Sequence, residues 1–242
     1  MNNFKDRVAV ITGASSGIGR AIALELAKAG AICCLIGRSR EKLEAVALIA
    51  KESSPTVRIY DFDLVAEGSI ANIEKEIKKE FGRVNILVHS AGIFHASAVK
   101  DAPIEEFDKL YQANVRAPFL LTQTLLPMIR SVAGQIVFIN SSQGLNGKSN
   151  TSQFASTQHS IRAIADSLRD EVNADGVKVI SLYLGRTATP RMESLFQKEG
   201  KKYSPELLLQ PEDVASVVVH TLSLPGTAEV TNISIRPMIK SY

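Results

Sequence analysis

A loop rich in small hydroxyl residues carries the side chains that could most directly do chemistry. Ser141 lies in this loop, and a helical pattern over residues 152–172 follows it. Hydroxyl groups there could orient a carbonyl or alcohol oxygen by hydrogen bonds. The first turns of the helix contain Phe154 and Gln158, and His159 is their one candidate acid or base. Three interpretations stay open: a catalytic segment without its acid, one whose acid lies elsewhere, or no catalytic segment.

A glycine-rich turn near the start of the chain could bind phosphate. An apolar run ends at Thr12, and three glycines spaced G-x-x-x-G-x-G follow as a helical pattern begins. Such glycines permit a tight turn and let backbone N–H groups at a helix N-terminus approach a pyrophosphate. Glycines alone are weak support, but a strand before them and a helix after them predict a dinucleotide site. The residues expected to line it are Gly13, Ser15, Ser16, Gly17, Ile18 and Gly19.

Short apolar runs alternate with longer helical patterns along the whole chain. The runs lie at 7–12, 31–36, 57–61, 84–88, 135–139, 177–183 and 229–235. The helical patterns lie at 17–29, 41–51, 69–81, 103–130, 152–172 and 211–224. Strands that are apolar on both faces and alternate with helices are typical of a parallel sheet covered on both sides. We therefore predict one doubly wound, Rossmann-like α/β domain over residues 1–242, with a seven-stranded parallel sheet.

Composition excludes several other classes of protein. The 242 residues are 45% hydrophobic and 22% charged, an ordinary balance for a soluble globular protein. The net charge of +3 comes from interleaved basic and acidic residues, so no nucleic-acid partner is expected. No apolar run approaches the roughly 18 residues that span a membrane. Cys33 and Cys34 are adjacent within an apolar run, which favours a core position over a disulfide or metal site. Without a signal-peptide pattern, a cytoplasmic location is expected.

Several motifs together resemble those of the short-chain dehydrogenase/reductase family, in order and over nearly the whole chain. "TGASSGIG" at 12–19 is similar to the family's cofactor loop, and "DFDL" at 61–64 to its adenine contact. "HSAG" at 89–92 matches the family's Asn-Asn-Ala-Gly in its last two residues. "LGRTATP" at 184–190 resembles the Pro-Gly-x-x-x-Thr loop, with Leu184 in place of the proline. The resemblance implies further cofactor contacts from Asp63, Leu64, Ser90, Ala91, Gly92, Gln158, Gly185 and Thr187.

The resemblance also implies a catalytic centre without its usual proton donor. Ser141 and Asn114 fall on the family's serine and helix asparagine, but Phe154 and Gln158 stand where the family has Tyr and Lys. The family's Tyr exchanges the substrate proton, and its Lys lowers the Tyr pKa. Losing general acid–base catalysis typically costs about 10²–10⁴-fold in rate. Gln158 keeps donors that could bind the nicotinamide ribose. Natural loss and deliberate engineering both stay open.

Few side chains could replace the missing acid. His95 follows the fourth strand at the edge where such folds bind ligands, although a lone loop histidine is more often structural or solvated. We take His95 and Gln143 as the candidates for substrate contact. His159 is expected on the helix surface, and His89 is expected in a structural role.

The end of the second strand carries information on the cofactor. Arg38 stands about where NAD-preferring proteins have an acid that binds the ribose 2′-OH. A guanidinium there suits a 2′-phosphate, so the sequence favours NADP(H) over NAD(H). The alternative is an exposed arginine at a strand end. Arg40 could assist, or it could be a surface charge.

Two functions from different classes follow. The first is an NADP(H)-dependent oxidoreductase that acts on a small carbonyl or alcohol substrate with an atypical or impaired centre. The second is a catalytically inactive nucleotide-binding or regulatory protein on the same fold. The helical patterns at 103–130 and 152–172 resemble those that pair across subunits in the family, so we expect a homodimer or homotetramer. The segment 191–210 is expected to cover the pocket.

Overall fold

All seven strands of the sheet run parallel, as predicted. The computed structural model describes residues 4–239, and the sheet has the order β3-β2-β1-β4-β5-β6-β7. The strands are β1 (Val8–Thr12), β2 (Ile32–Ile36), β3 (Val57–Tyr60), β4 (Ile86–His89), β5 (Gln135–Ser141), β6 (Lys178–Leu184) and β7 (Asn232–Ile235). The chain order reverses between β1 and β4, where doubly wound folds bind their ligands. Residues 1–3 and 240–242 lie outside the described range, so the predicted domain limits of 1 and 242 stay a prediction.

Helices cover both faces of this sheet, which confirms the predicted fold class. In the described range they are α1 (Gly17–Lys28), α2 (Arg40–Ala50), α3 (Ser69–Glu80), α4 (Ile104–Tyr111), α5 (Ala117–Arg130), α6 (Ser152–Val172), α7 (Pro190–Lys198) and α8 (Pro211–Leu222). Buried residues of α1, α2 and α8 pack on one face, and those of α3, α5 and α6 on the other. Within β1, Ala9 and Ile11 join the first core while Val8 and Val10 join the second, because successive side chains of a strand point to opposite faces.

The helical pattern at 103–130 forms three pieces, where a single helix was expected. Residues Gln112–Arg116 are π-helical, and the Ala117 N–H bonds the Gln112 carbonyl five residues back. Pro118 follows, and a proline has no N–H to bond the carbonyl four residues before it. That carbonyl belongs to Asn114, so the irregular turn falls on a predicted site residue.

Helix α7 was not predicted at all. It occupies the first half of the segment expected to cover the pocket, and it is nine residues long. Thr189 caps its N-terminus by accepting a hydrogen bond from the Met192 N–H (3.2 Å). Among residues 4–239, no helix is long and apolar enough to cross a membrane.

Candidate functional site

A cavity of about 780 Å³ opens at the carboxyl ends of the strands, where the chain order reverses. Its volume lies in the range of cofactor and ligand pockets. The structure brings all the predicted cofactor residues into its lining: Gly13, Ser15, Ser16, Gly17, Ile18, Gly19, Arg38, Asp63, Leu64, Ser90, Ala91, Gly92, Gln158, Gly185 and Thr187. Asn114, Ser141 and Phe154 line it too. His95 and Gln143 are not among its lining residues.

The glycine turn is held tightly against the end of β4. Gly13 has φ +67°, and a Cβ at this position would lie 2.9 Å from the Ala91 nitrogen. The Thr12 hydroxyl accepts hydrogen bonds from the Ser90 N–H (3.0 Å) and the Ala91 N–H (3.1 Å). A Cβ at Gly19 would lie 2.4 Å from the Gly13 carbonyl oxygen. Only glycine therefore fits these two positions.

The N-terminus of α1 fits an anionic group. Its N-cap residue Ser16 makes no side-chain hydrogen bond to the first turn. The first N–H groups of a helix lack partners within the helix, and the helix dipole favours negative charge there. Gly17 and Ile18, the first residues of this helix, line the cavity. The turn therefore offers a pyrophosphate the N–H groups that it needs.

The two arginines after β2 have different surroundings. Arg40 is exposed and pairs with Glu44 (2.9 Å) and Asp61 (3.5 Å), away from the cavity lining. Arg38 lines the cavity, and no carboxylate of the described residues lies within ion-pair distance of it. Of the two, Arg38 is therefore the one placed to meet a ligand phosphate.

The wall built by β5 and α6 is polar at one point and aromatic at another. Ser141 is half-buried, and its hydroxyl accepts a hydrogen bond from the Gln143 N–H (3.2 Å). The Phe154 ring packs edge-on against Phe94, with 4.8 Å between ring centroids. Gln158 is 8% exposed, and its amide donates to the Thr157 hydroxyl at 3.3 Å. This wall can accept or donate hydrogen bonds, but it presents no titratable group.

Asn114 connects the irregular helical turn to the end of β4. Its side-chain oxygen accepts from the Ile93 N–H (2.8 Å), and its amide donates to the Ile93 carbonyl (3.0 Å). The same amide donates to the Thr157 hydroxyl (3.2 Å). Asn114 thereby fixes the loop after β4 relative to α6, the helix that carries Phe154 and Gln158.

The ionisable side chains that line the cavity lie outside the wall formed by β5 and α6. In the described chain they are Arg38, Asp63, His89, Asp108, Lys109 and Arg191. His89 is buried, and its ring stacks on Phe138 with centroids 4.8 Å apart. Its Nε2 lies 2.8 Å from the Thr122 hydroxyl, and burial lowers the His89 pKa to about 3. His89 is therefore neutral near pH 7 and cannot replace the missing acid as an imidazolium.

The other two histidines with a proposed role lie outside the cavity lining. The His95 Nδ1 lies 3.8 Å from a Glu106 carboxylate oxygen on α4, so its ring is turned toward that helix. His159 is exposed on α6. Gln143 is half-buried in the loop after β5. Within the described range, no group of three or more His, Cys, Asp or Glu side chains could hold a metal ion.

Sequence reasoning missed the residues that α7 adds to the cavity. These are Pro190, Arg191 and Met192, together with the N-cap residue Thr189. Counted from Leu184, Thr189 is also the threonine of the Pro-Gly-x-x-x-Thr pattern, where Thr187 was predicted instead. A Cβ at Gly17 would lie 3.0 Å from the Thr189 methyl, so the start of α7 packs directly on the glycine turn. The Thr187 hydroxyl, by contrast, donates to the Gly185 carbonyl (3.2 Å). A signal was present, since Thr-Pro is a frequent pair at the N-cap and first position of a helix.

Comparisons with known proteins agree with this fold. The family model described as short chain dehydrogenase matches residues 7–200. An uncharacterized oxidoreductase of Staphylococcus epidermidis is 32% identical over 239 residues, which cover 98% of this chain and 100% of the relative. One from Staphylococcus aureus is 30% identical over the same length, with the same coverage. The chain therefore belongs to the short-chain dehydrogenase family, a family of oxidoreductases.

Two solved structures illustrate the likeness of fold. An alcohol dehydrogenase from the archaeon Thermococcus sibiricus, complexed with 5-hydroxy-NADP, superposes with a TM-score of 0.88 at 26% identity and covers 98% of this chain and 99% of its own. The L-sorbose reductase of Gluconobacter frateurii, complexed with NADPH and L-sorbose, superposes with a TM-score of 0.89 at 25% identity and covers 100% of both chains.

Proposed function

We propose that the chain is an NADP(H)-dependent oxidoreductase of the short-chain dehydrogenase/reductase type, with a catalytic centre impaired for ordinary carbonyl–alcohol exchange. One observation carries this proposal. The cavity lining brings together all the residues predicted to contact a dinucleotide, while the wall beside Ser141 presents Phe154 and Gln158 and no titratable group.

Binding of NADP(H) is supported by the residues at the end of β2. Arg38 lines the cavity without a carboxylate partner among the described residues, and a guanidinium can bind a phosphate through two parallel hydrogen bonds. The solved relatives complexed with 5-hydroxy-NADP and NADPH support the same cofactor. NAD(H) is disfavoured because Gly37 and Arg38 occupy the place where a carboxylate would hold a 2′-OH.

The impairment follows from proton balance. A bound reduced nicotinamide would supply a hydride to a carbonyl carbon, and the substrate oxygen would then have to gain a proton. Phe154 has no proton to exchange, and the Gln158 amide has no charge to lower a neighbour's pKa. The Ser141 hydroxyl can orient the carbonyl but is too weak an acid to protonate it readily. Water, or a substrate that needs no protein proton donor, has to complete the reaction.

A nucleotide-binding or regulatory protein without turnover is the second candidate. The contact between Phe154 and Phe94 favours it, because this apolar edge-to-face pair stands where the family has a hydroxyl. In this alternative the dinucleotide itself is the ligand that matters, and the wall serves only to enclose it.

A calorimetric titration of NADPH and NADH tests the cofactor. We expect tighter binding of NADPH by the wild type, and about 10-fold weaker NADPH binding after Arg38→Ala from the loss of a charge-assisted hydrogen bond. Arg40→Ala is the matched control, because Arg40 pairs with Glu44 outside the cavity. Equal wild-type affinities for the two cofactors would contradict the proposal.

A carbonyl panel then separates the two candidates. Loss of the absorbance of the reduced nicotinamide, followed with saturating NADPH, reports hydride transfer. Slow but measurable turnover supports the impaired oxidoreductase, and tight NADPH binding without turnover on any substrate supports the binding protein.

A further inference from the structure

Arg191 reaches from α7 across the mouth of the cavity. It is the second residue of this helix, and its guanidinium Nη2 donates a hydrogen bond to the Gly92 carbonyl oxygen on the opposite wall. Gly92 follows directly on Ala91, which packs against the glycine turn. Arg191 is therefore held over the region where the dinucleotide phosphates would lie.

The electrostatic surroundings of Arg191 are unfavourable without an anion. The side chain as a whole is exposed, but enough protein surrounds its guanidinium that desolvation, and then the charge of Arg38, lower the Arg191 pKa. The positive end of the α7 dipole adds to this, since cations are disfavoured at a helix N-terminus. Two arginines of one cavity lining, one after β2 and one on α7, thus lie close enough for their charges to repel each other.

The acidic residue at the end of α7 is already engaged by another arginine. Glu199, just after α7, accepts two hydrogen bonds from Arg186 (3.0 and 3.1 Å). It also forms an ion pair with Lys201 (3.0 Å). No carboxylate of residues 4–239 lies within ion-pair distance of Arg191. An anion that enters the cavity is the counter-charge these two guanidinium groups lack.

We propose that Arg191 is a second cation of the cofactor site, which binds a phosphate oxygen of the dinucleotide from the α7 side while Arg38 binds from the sheet side. This inference rests on the proposed cofactor function. It makes α7 a part of the binding site and not merely a cover. The phosphate bound by Arg191 would be either the 2′-phosphate or the pyrophosphate.

Two substitutions distinguish charge from a simple latch. Arg191→Gln keeps an N–H donor for the Gly92 carbonyl but removes the charge, and Arg191→Lys keeps the charge. We expect calorimetric NADPH affinity to fall about 10-fold or more in Arg191→Gln, and to fall much less in Arg191→Lys. The salt dependence of binding should also become shallower in Arg191→Gln. Lys198→Gln removes a positive charge from the other end of α7 and should change neither quantity.

Parallel titrations with NADH identify the phosphate. A loss confined to NADPH identifies the 2′-phosphate, and an equal loss for both dinucleotides, with a shallower salt dependence, identifies the pyrophosphate. Wild-type affinity and salt dependence in Arg191→Gln would overturn the inference, as would equal losses in the Gln and Lys variants, which would indicate a role of shape alone. If the wild type binds neither dinucleotide, the proposed function itself has failed.

Discussion

In the proposed oxidoreductase, Phe154 and Gln158 would keep the shape of the catalytic wall without supplying its proton donor. Phenylalanine differs from tyrosine by one hydroxyl group. A tyrosine ring at position 154 could therefore pack against Phe94 in the same way. Gln158 lies in the cavity lining near Thr157, whose hydroxyl also binds Asn114. The side chains of Thr157 and Asn114, which would surround a restored acid, are thus already in place. This makes the loss testable by reversal.

Restoring both residues should restore turnover. In Phe154→Tyr with Gln158→Lys, a phenol with a pKa lowered by the neighbouring ammonium would stand beside Ser141. We expect NADPH-dependent reduction of a simple ketone or quinone to rise at least ~10²-fold over the wild type, from the size of the acid–base contribution. Initial rates of NADPH oxidation over a carbonyl panel measure this.

The single variants are the controls for this rescue. Phe154→Tyr alone would lack the cation that stabilises the ionised phenol, so it should gain much less. A folded, NADPH-binding double variant with no gain on any substrate would show that the pocket has diverged beyond its acid. Wild-type turnover that His95→Ala abolishes would point instead to an acid reached by a movement of the loop after β4.

His89 predicts a pH dependence of stability. Burial lowers its folded-state pKa from 6.5 to about 3, so between these values the unfolded chain binds more protons than the folded chain. The free energy of unfolding therefore falls as pH falls through this window, by about 2 kcal/mol between pH 7 and pH 5 from this one group. Urea denaturation at both pH values measures the change.

Replacing His89 should remove that part of the pH dependence. His89→Asn has no titrating side chain, so its stability should decrease about 2 kcal/mol less than that of the wild type over the same interval. The variant loses the stacking on Phe138, which lowers its stability at both pH values and leaves the difference unaffected. His220→Asn, at an exposed position of α8, should behave as the wild type. An unchanged difference in His89→Asn would refute the assignment.

At the scale of elements, the sequence predicted regular structure well because apolar patterns record burial directly. Helix α6 has the predicted limits, and the strands differ from prediction by up to three residues at an end. The carboxyl ends of β5 and β6 extend to Ser141 and Leu184, which pair with each other. Where a strand ends depends on its pairing with the neighbouring strand, which the sequence of a single segment does not show.

The failures of prediction lie where distant residues decide the structure. The π-helical turn at Gln112–Arg116 accompanies the bonds of Asn114 to Ile93 and to Thr157. Helix α7 is short, and its three apolar residues Met192, Leu195 and Phe196 span little more than one turn. The orientation of Arg191 depends on Gly92, a partner 99 positions away. Contacts between residues so far apart in the chain form only in the folded protein, so the spacing of residues within one segment does not predict them.

At the scale of the whole molecule, four large exposed apolar side chains lie along one stretch of the chain. Large apolar side chains on α4, α5 and the turn before them are exposed: Val99, Ile104, Tyr111 and Phe119. Contiguous exposed apolar surface indicates a protein–protein contact. Ile104, Tyr111 and Phe119 belong to the helical pattern at 103–130 that was expected to pair across subunits, and Val99 lies just before it. A two-fold contact would bury the same patch on both chains.

We therefore expect a homodimer or homotetramer that depends on this face. Phe119 is 48% exposed on α5, and Phe119→Lys should place two ammonium groups in the contact and shift the mass toward the monomer. Leu48→Lys is the matched control, because Leu48 is 72% exposed on α2, outside this face. Light scattering at micromolar concentration measures the mass, and circular dichroism verifies that each variant is folded. A monomeric wild type would refute the assembly, and an unchanged oligomer in Phe119→Lys would move the contact to another surface.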